Sequence, residues 1–120
     1  MPDTVDVWRL FSLPDGTSKM ECIQVKLEAG RSSLFSGRGV QIVAMAGGNE
    51  AVWHTGPRRQ MIATISGQGE LETGDGQKLT VKPGVITLIE DLTGKGHLTR
   101  NGPDGRLAMI MPLDEDATVS

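Results

Sequence analysis

The chain has no tyrosine, two phenylalanines and two tryptophans in 120 residues. Its core must come from Val, Ile, Leu and Met, which is aliphatic and adaptable, and it offers no aromatic platform on which bases could stack. Cysteine is nearly absent as well. The single Cys22 allows no intrachain disulfide, which fits a reducing cytosol better than a stapled secreted domain, and Cys22 reads as a small buried apolar residue. Long apolar runs are missing: the longest, "VQIVAMAGG", is far too short to span a bilayer. The opening "MPDTVDVWRL" has no basic segment followed by an apolar run, so no signal peptide is expected. Positive charge is scarce. The net charge is −3, and the one cationic doublet, Arg58-Arg59, is too small a footprint for nucleic acid. A small anion suits it better. The expectation is a cytoplasmic protein whose partners are neither membrane nor nucleic acid.

Glycine and proline are plentiful, at sixteen and six residues, and no helix of ordinary length is visible in the pattern. Short strands joined by tight turns follow from that composition. "VDVWRLFS" and "KMECIQVKLEA" read as strands around the Pro14-Asp15-Gly16 turn, where Pro presets φ and Gly supplies a positive one. "VQIVAMA" is a third strand. "RQMIATISG", "ELETG", "KLTV", "VITLIED", "HLTRN" and "RLAMIMPL" follow, with Asp75-Gly76 marking a hairpin and "GPDG" another turn. About nine or ten strands in a single domain over residues 1–113 are spaced as an antiparallel sandwich or barrel would space them. Residues 114–120, "DEDATVS", read as an acidic flexible tail. Edge-like strands at the start of the chain suggest a homodimer formed through them.

The order of elements from Trp53 to Pro112 resembles a small single-domain cupin, from an uncharacterised bacterial subgroup. The first cupin motif runs H-x-H, three or four residues, a glutamate, six residues and a glycine. Here Gln60 is followed by six residues and Gly67, which puts His54 at the first histidine, Gly56 at the second and Gln60 at the glutamate. In the second motif, Gly84 can be the opening glycine and His97 the histidine, with "TGKG" in place of the usual P-x-G. Asn101 fits the later asparagine only with a shift. The resemblance spans about half the chain. It implies an all-β double-stranded β-helix, or jelly-roll, with an interior pocket, and a divalent metal such as Fe, Mn, Ni or Zn held by His54 and His97. It says little about the reaction.

Period-two alternation places the remaining candidates. An inward Gln60 carries Ile62 and Thr64 with it, and Arg58 has the same parity; an inward Arg58 could fork onto a carboxylate or phosphate. Ile86, Leu88 and Glu90 share a face. A carboxylate ending a core face needs a partner. Glu90 either completes a two-histidine, one-carboxylate metal set with His54 and His97 or pairs with Arg58 or Lys95 at the pocket rim. Asp91, of opposite parity, reads as a loop residue capping the "TGKG" turn. The pocket is expected to contain His54, Arg58, Gln60, Ile62, Leu88, Glu90, His97 and Met109.

Two pocket functions remain open, beside a structural or interaction module whose pocket is vestigial. In one, His54, His97, Gln60 and Glu90 hold a metal, Arg58, Ile62, Leu88 and Met109 contact a small oxygenated or carboxylated substrate, and Gln60 and Glu90 assist catalysis. In the other, the pocket binds a small anion without metal and without catalysis.

Overall fold

Turn chemistry and alternation set the strands of the computed structural model, which describes residues 2–120. Gly16, at φ 88°, closes the connection between β1 (Thr4–Ser12) and β2 (Ser18–Lys26), and the Asp15 carboxylate accepts a hydrogen bond from the Thr17 N–H at 2.9 Å. That contact holds the Asp15 carboxyl below its ordinary range. The other strands are β3 (Gln41–Met45), β4 (Gln60–Glu72), β5 (Lys78–Val81), β6 (Ile86–Glu90) and β7 (Leu98–Pro112). Gly76, also at positive φ, makes the β4–β5 hairpin at the expected Asp-Gly pair.

The protein is all-β, with seven strands in one mixed sheet rather than nine or ten antiparallel ones. Two differences explain the count. β4 and β7 each run through what reads as two strands. Their pairing continues from Gln60↔Pro112 to Glu72↔Leu98 across irregularities at Thr64/Ser66 and Gly67/Gly69. Gly67 pairs with Arg106 and Gly69 with Asn101, so residues 102–105, the "GPDG" turn, bulge out of β7 without ending it. The order is β2-β1-β6-β4-β7-β3, with β5 attached to β4, and β1 pairs with β6 in parallel. A parallel pair needs a long crossover, which the chain between β1 and β6 provides.

Alternation gives the sheet two buried faces. On one, Leu10, Met20, Leu71, Val81 and Ile89 are buried, with Trp8 and Ile62 alongside. On the other, Val7, Val25, Met61 and Leu88 are covered by Leu113 and Ala117, with Phe35 and Val119 beside them. The residues expected as a flexible tail therefore lie against the second core: Ala117 is buried, and Arg59 Nη1 donates to the carbonyls of Asp114 and Glu115 at 3.1 and 3.0 Å. A small apolar Ala and a Val within an otherwise acidic run make this docking possible. Cys22, expected to be buried, is exposed on β2, because the covered parity switches along the strand from Ser18 and Met20 to Ile23 and Val25, and Cys22 lies past the switch. Among the described residues, no helix is long and apolar enough to cross a membrane.

Deleting residues 114–120 should lower stability by about 1–3 kcal/mol, since it uncovers apolar area and removes two hydrogen bonds to a guanidinium. A urea titration should show a lower midpoint, and an unchanged midpoint would mean that the segment contributes no burial.

Candidate functional site

The two candidate histidines meet through the backbone. His54 and His97 exchange both N–H···O bonds, at 3.0 and 2.9 Å, in an isolated antiparallel bridge. Their ring centroids are 4.6 Å apart, with planes tilted by 56°. Gly96 permits this approach: it sits at φ 74°, and a Cβ there would lie 1.9 Å from the His54 carbonyl oxygen. The Ser18 hydroxyl donates to the Gly96 carbonyl at 2.6 Å and ties the pair to the start of β2.

The histidines border a cavity of about 300 Å³. Its walls come from Gln60 and Ile62 of β4, Ile89 of β6, Thr99, Asn101, Arg106 and Ile110 of β7, Met45 of β3, and the 49–57 segment. Asn49 pins that segment to β7, donating to the Thr99 carbonyl at 2.8 Å and accepting from the Asn101 N–H at 2.7 Å.

Of the expected pocket residues, His54, Gln60, Ile62 and His97 come together around this cavity, and Arg58, Leu88, Glu90 and Met109 do not. Ile86, Leu88 and Glu90 do share a face, but it is the opposite one, where Leu88 packs with Met61 and Val7. Glu90 is held there by two arginines, accepting from Arg9 Nε at 2.5 Å and Arg59 Nε at 2.7 Å. Neither expected partner is used: Lys95 lies over the Trp53 ring at 3.9 Å, and Arg58 is exposed. Pro57 ends the parity that would have turned Arg58 inward, since β4 begins only at Gln60. Met109 falls out by one residue, and its neighbours Ala108 and Ile110 are the buried ones.

The site also contains residues that alternation alone assigned elsewhere or passed over. Asp91 is fully buried, not a turn cap, and its Oδ2 lies 2.5 Å from His97 Nδ1. It has the parity of Ile89, which faces the cavity, and that shared parity was the signal available in the sequence. Arg106 is buried at 6% exposure. Its Nη1 donates to Thr64 Oγ1 at 3.2 Å and its Nη2 meets Met45 Sδ at 3.3 Å, while Nε has no partner. Among the described residues it forms no ion pair. Burial pushes its guanidinium below the ordinary arginine pKa. Gln60 Oε1 is a second buried polar atom without a partner.

His54, His97 and Gln60 are the residues that could reach a metal ion in this cavity. Each imidazole has its Nδ1 engaged, His54 with the Val52 carbonyl at 2.9 Å and His97 with Asp91, which leaves Nε2 as the free lone pair. The donor set is nevertheless two imidazoles and an amide beside a guanidinium with no ion-pair partner, and Glu50, the one carboxylate lining the cavity, is an exposed residue of the 49–57 segment. The second histidine position cannot contribute, because a Cβ at Gly56 would lie 2.5 Å from Ile89 Cγ2. No group of three or more His, Cys, Asp or Glu among the described residues is placed to hold a metal.

No protein-family model matches the chain, and no curated protein is similar to it in sequence. A crystal structure of protein NMB1881 from Neisseria meningitidis is similar in fold, with a TM-score of 0.50 at 18% identity, over 68% of this chain and 81% of that one. At that identity the likeness concerns the fold alone.

Glu90→Gln should destabilise the protein by about 1–3 kcal/mol, because two arginines lose a charged acceptor that is only partly screened by solvent. Ligand binding in the cavity should not change. A denaturant titration checks the first outcome, and a binding defect in the variant would return Glu90 to the site.

Proposed function

We propose that this chain is a cupin-type pocket protein that binds a small organic anion carrying a carboxylate, without a metal. The observation that carries this reading is Arg106, a guanidinium buried in the cavity wall and in contact with no carboxylate among the described residues, Glu50 at the cavity rim being exposed. An unpaired buried charge is costly by several kcal/mol. A bound carboxylate would remove that cost, accepting two parallel hydrogen bonds in the geometry that guanidinium forks favour. Gln60, Asn101 and Thr99 supply neutral polar contacts around it, and Ile62, Ile89 and Ile110 an apolar wall. A volume of about 300 Å³ matches the small end of ligand pockets.

The cupin reading draws support from the meeting of the two motif blocks at the His54–His97 bridge. The divalent metal implied by that resemblance finds little here, since neutral donors beside a fixed positive charge disfavour a dication. The homodimer belongs to the same proposal: β2 ends the sheet order and presents a free edge on which a second copy could pair.

Calorimetric or saturation-transfer titrations with C3–C5 carboxylates should give binding that chelator treatment leaves unchanged. Arg106→Gln should weaken it by about 10- to 100-fold. Affinity that survives that substitution, or that disappears with chelator and returns with Fe, Mn, Ni or Zn, would overturn the reading.

A further inference from the structure

Asp91 and His97 form a buried pair at the edge of the cavity. Asp91 is fully enclosed, its carbonyl oxygen accepts from the Gly56 N–H at 3.0 Å, and its Oδ2 is 2.5 Å from His97 Nδ1. A buried carboxylate on Nδ1 fixes the imidazole tautomer, orients the ring and offsets the positive charge that the ring acquires when Nε2 takes a proton. His97 borders the same cavity as Arg106. Among the described residues lining that cavity there is no serine, cysteine or lysine, and Thr99 is the one hydroxyl, so the groups present suit proton movement better than attack on a carbonyl. His54 adds a second imidazole, its ring centroid 4.6 Å from that of His97, in an exposed residue.

We infer that this pocket enolises small oxo-carboxylates, with His97 as the general base and Asp91 as its positioning residue. The inference rests on the anion-binding reading, in which Arg106 holds the carboxylate. In the step, His97 Nε2 takes a proton from the carbon next to the substrate's carbonyl. The electron pair of that C–H bond forms the C=C bond of the enolate, and the carbonyl π pair moves to oxygen, where Arg106 and the Gln60 amide are the groups at hand to meet the charge. Return of a proton to that carbon on the same face completes a solvent exchange, and on the opposite face, where the carbon is stereogenic, an epimerisation. Nothing is oxidised or reduced, and no co-reactant is consumed.

The test uses 2-oxobutanoate in deuterated buffer, following loss of the C3 proton signal by NMR. Wild-type protein should exchange these protons about 100-fold or more faster than buffer. His97→Asn, whose amide can still donate to Asp91, should return the rate to that of buffer while saturation-transfer contacts to the probe persist. Asp91→Asn should lower the exchange rate with an unchanged dissociation constant, and Asp91→Glu should recover part of it; a merely structural carboxylate would affect both. Binding without exchange in the wild type, or exchange that survives His97→Asn, would overturn the inference and leave the anion reading standing. Absence of binding in the wild type would sink both. Should His97→Asn fail to fold, the wild-type rate against buffer decides alone.

Discussion

The antiparallel pairing of β4 with β7 is the frame on which the cavity is built, supplying Gln60, Ile62, Thr99, Asn101, Arg106 and Ile110. β4 is engaged on both edges, with β7 along its length on one side and β6, then β5, on the other. Gln60 and Ile62 therefore face the same space as Arg106 and Ile110. The bulge that expels residues 102–105 does not break the ladder. It brings β7 back into register at Arg106, opposite Gly67, whose lack of a side chain matters: a Cβ there would lie 2.2 Å from the Gly105 carbonyl. A strand interrupted by a free turn could not place a buried guanidinium so firmly.

Two charged arrangements divide the molecule. On the second-core face, Glu90 is bound by Arg9 and Arg59, so charge is matched within the protein. On the cavity face, Arg106 is unmatched and the Asp91–His97 pair is enclosed beside it. The first arrangement is structural: it closes the end of a core and clamps the docked acidic segment. The second leaves a positive charge and an imidazole with a free ring nitrogen facing a space of small-molecule size. Glu90 and Asp91, adjacent residues at the end of β6, belong one to each arrangement.

The turns and most strands were legible in the sequence. Pro14-Asp15-Gly16 and Asp75-Gly76 are local devices, and their φ requirements do not depend on the rest of the chain. The shared faces of Gln60 with Ile62, and of Leu88 with Glu90, were legible for the same reason, since alternation is a property of one strand. Which face points to the cavity was not. Both faces of this sheet are buried, so an apolar stripe identifies a core without saying which one. Leu88 and Glu90 were assigned to the wrong face on that account, and Asp91 to a turn.

What the sequence determined by itself was the all-β class, the aliphatic core, the turns and the pair of histidines with a glycine-spaced strand after the first. Local backbone preference and period-two alternation suffice for those. The tertiary structure alone decided that Glu90 is neutralised by Arg9 and Arg59, that Asp91 supports His97, and that Arg106 stands without a counter-charge. Each is a relation between residues on different strands, and strand order is set by pairing across long stretches of chain that no local pattern encodes.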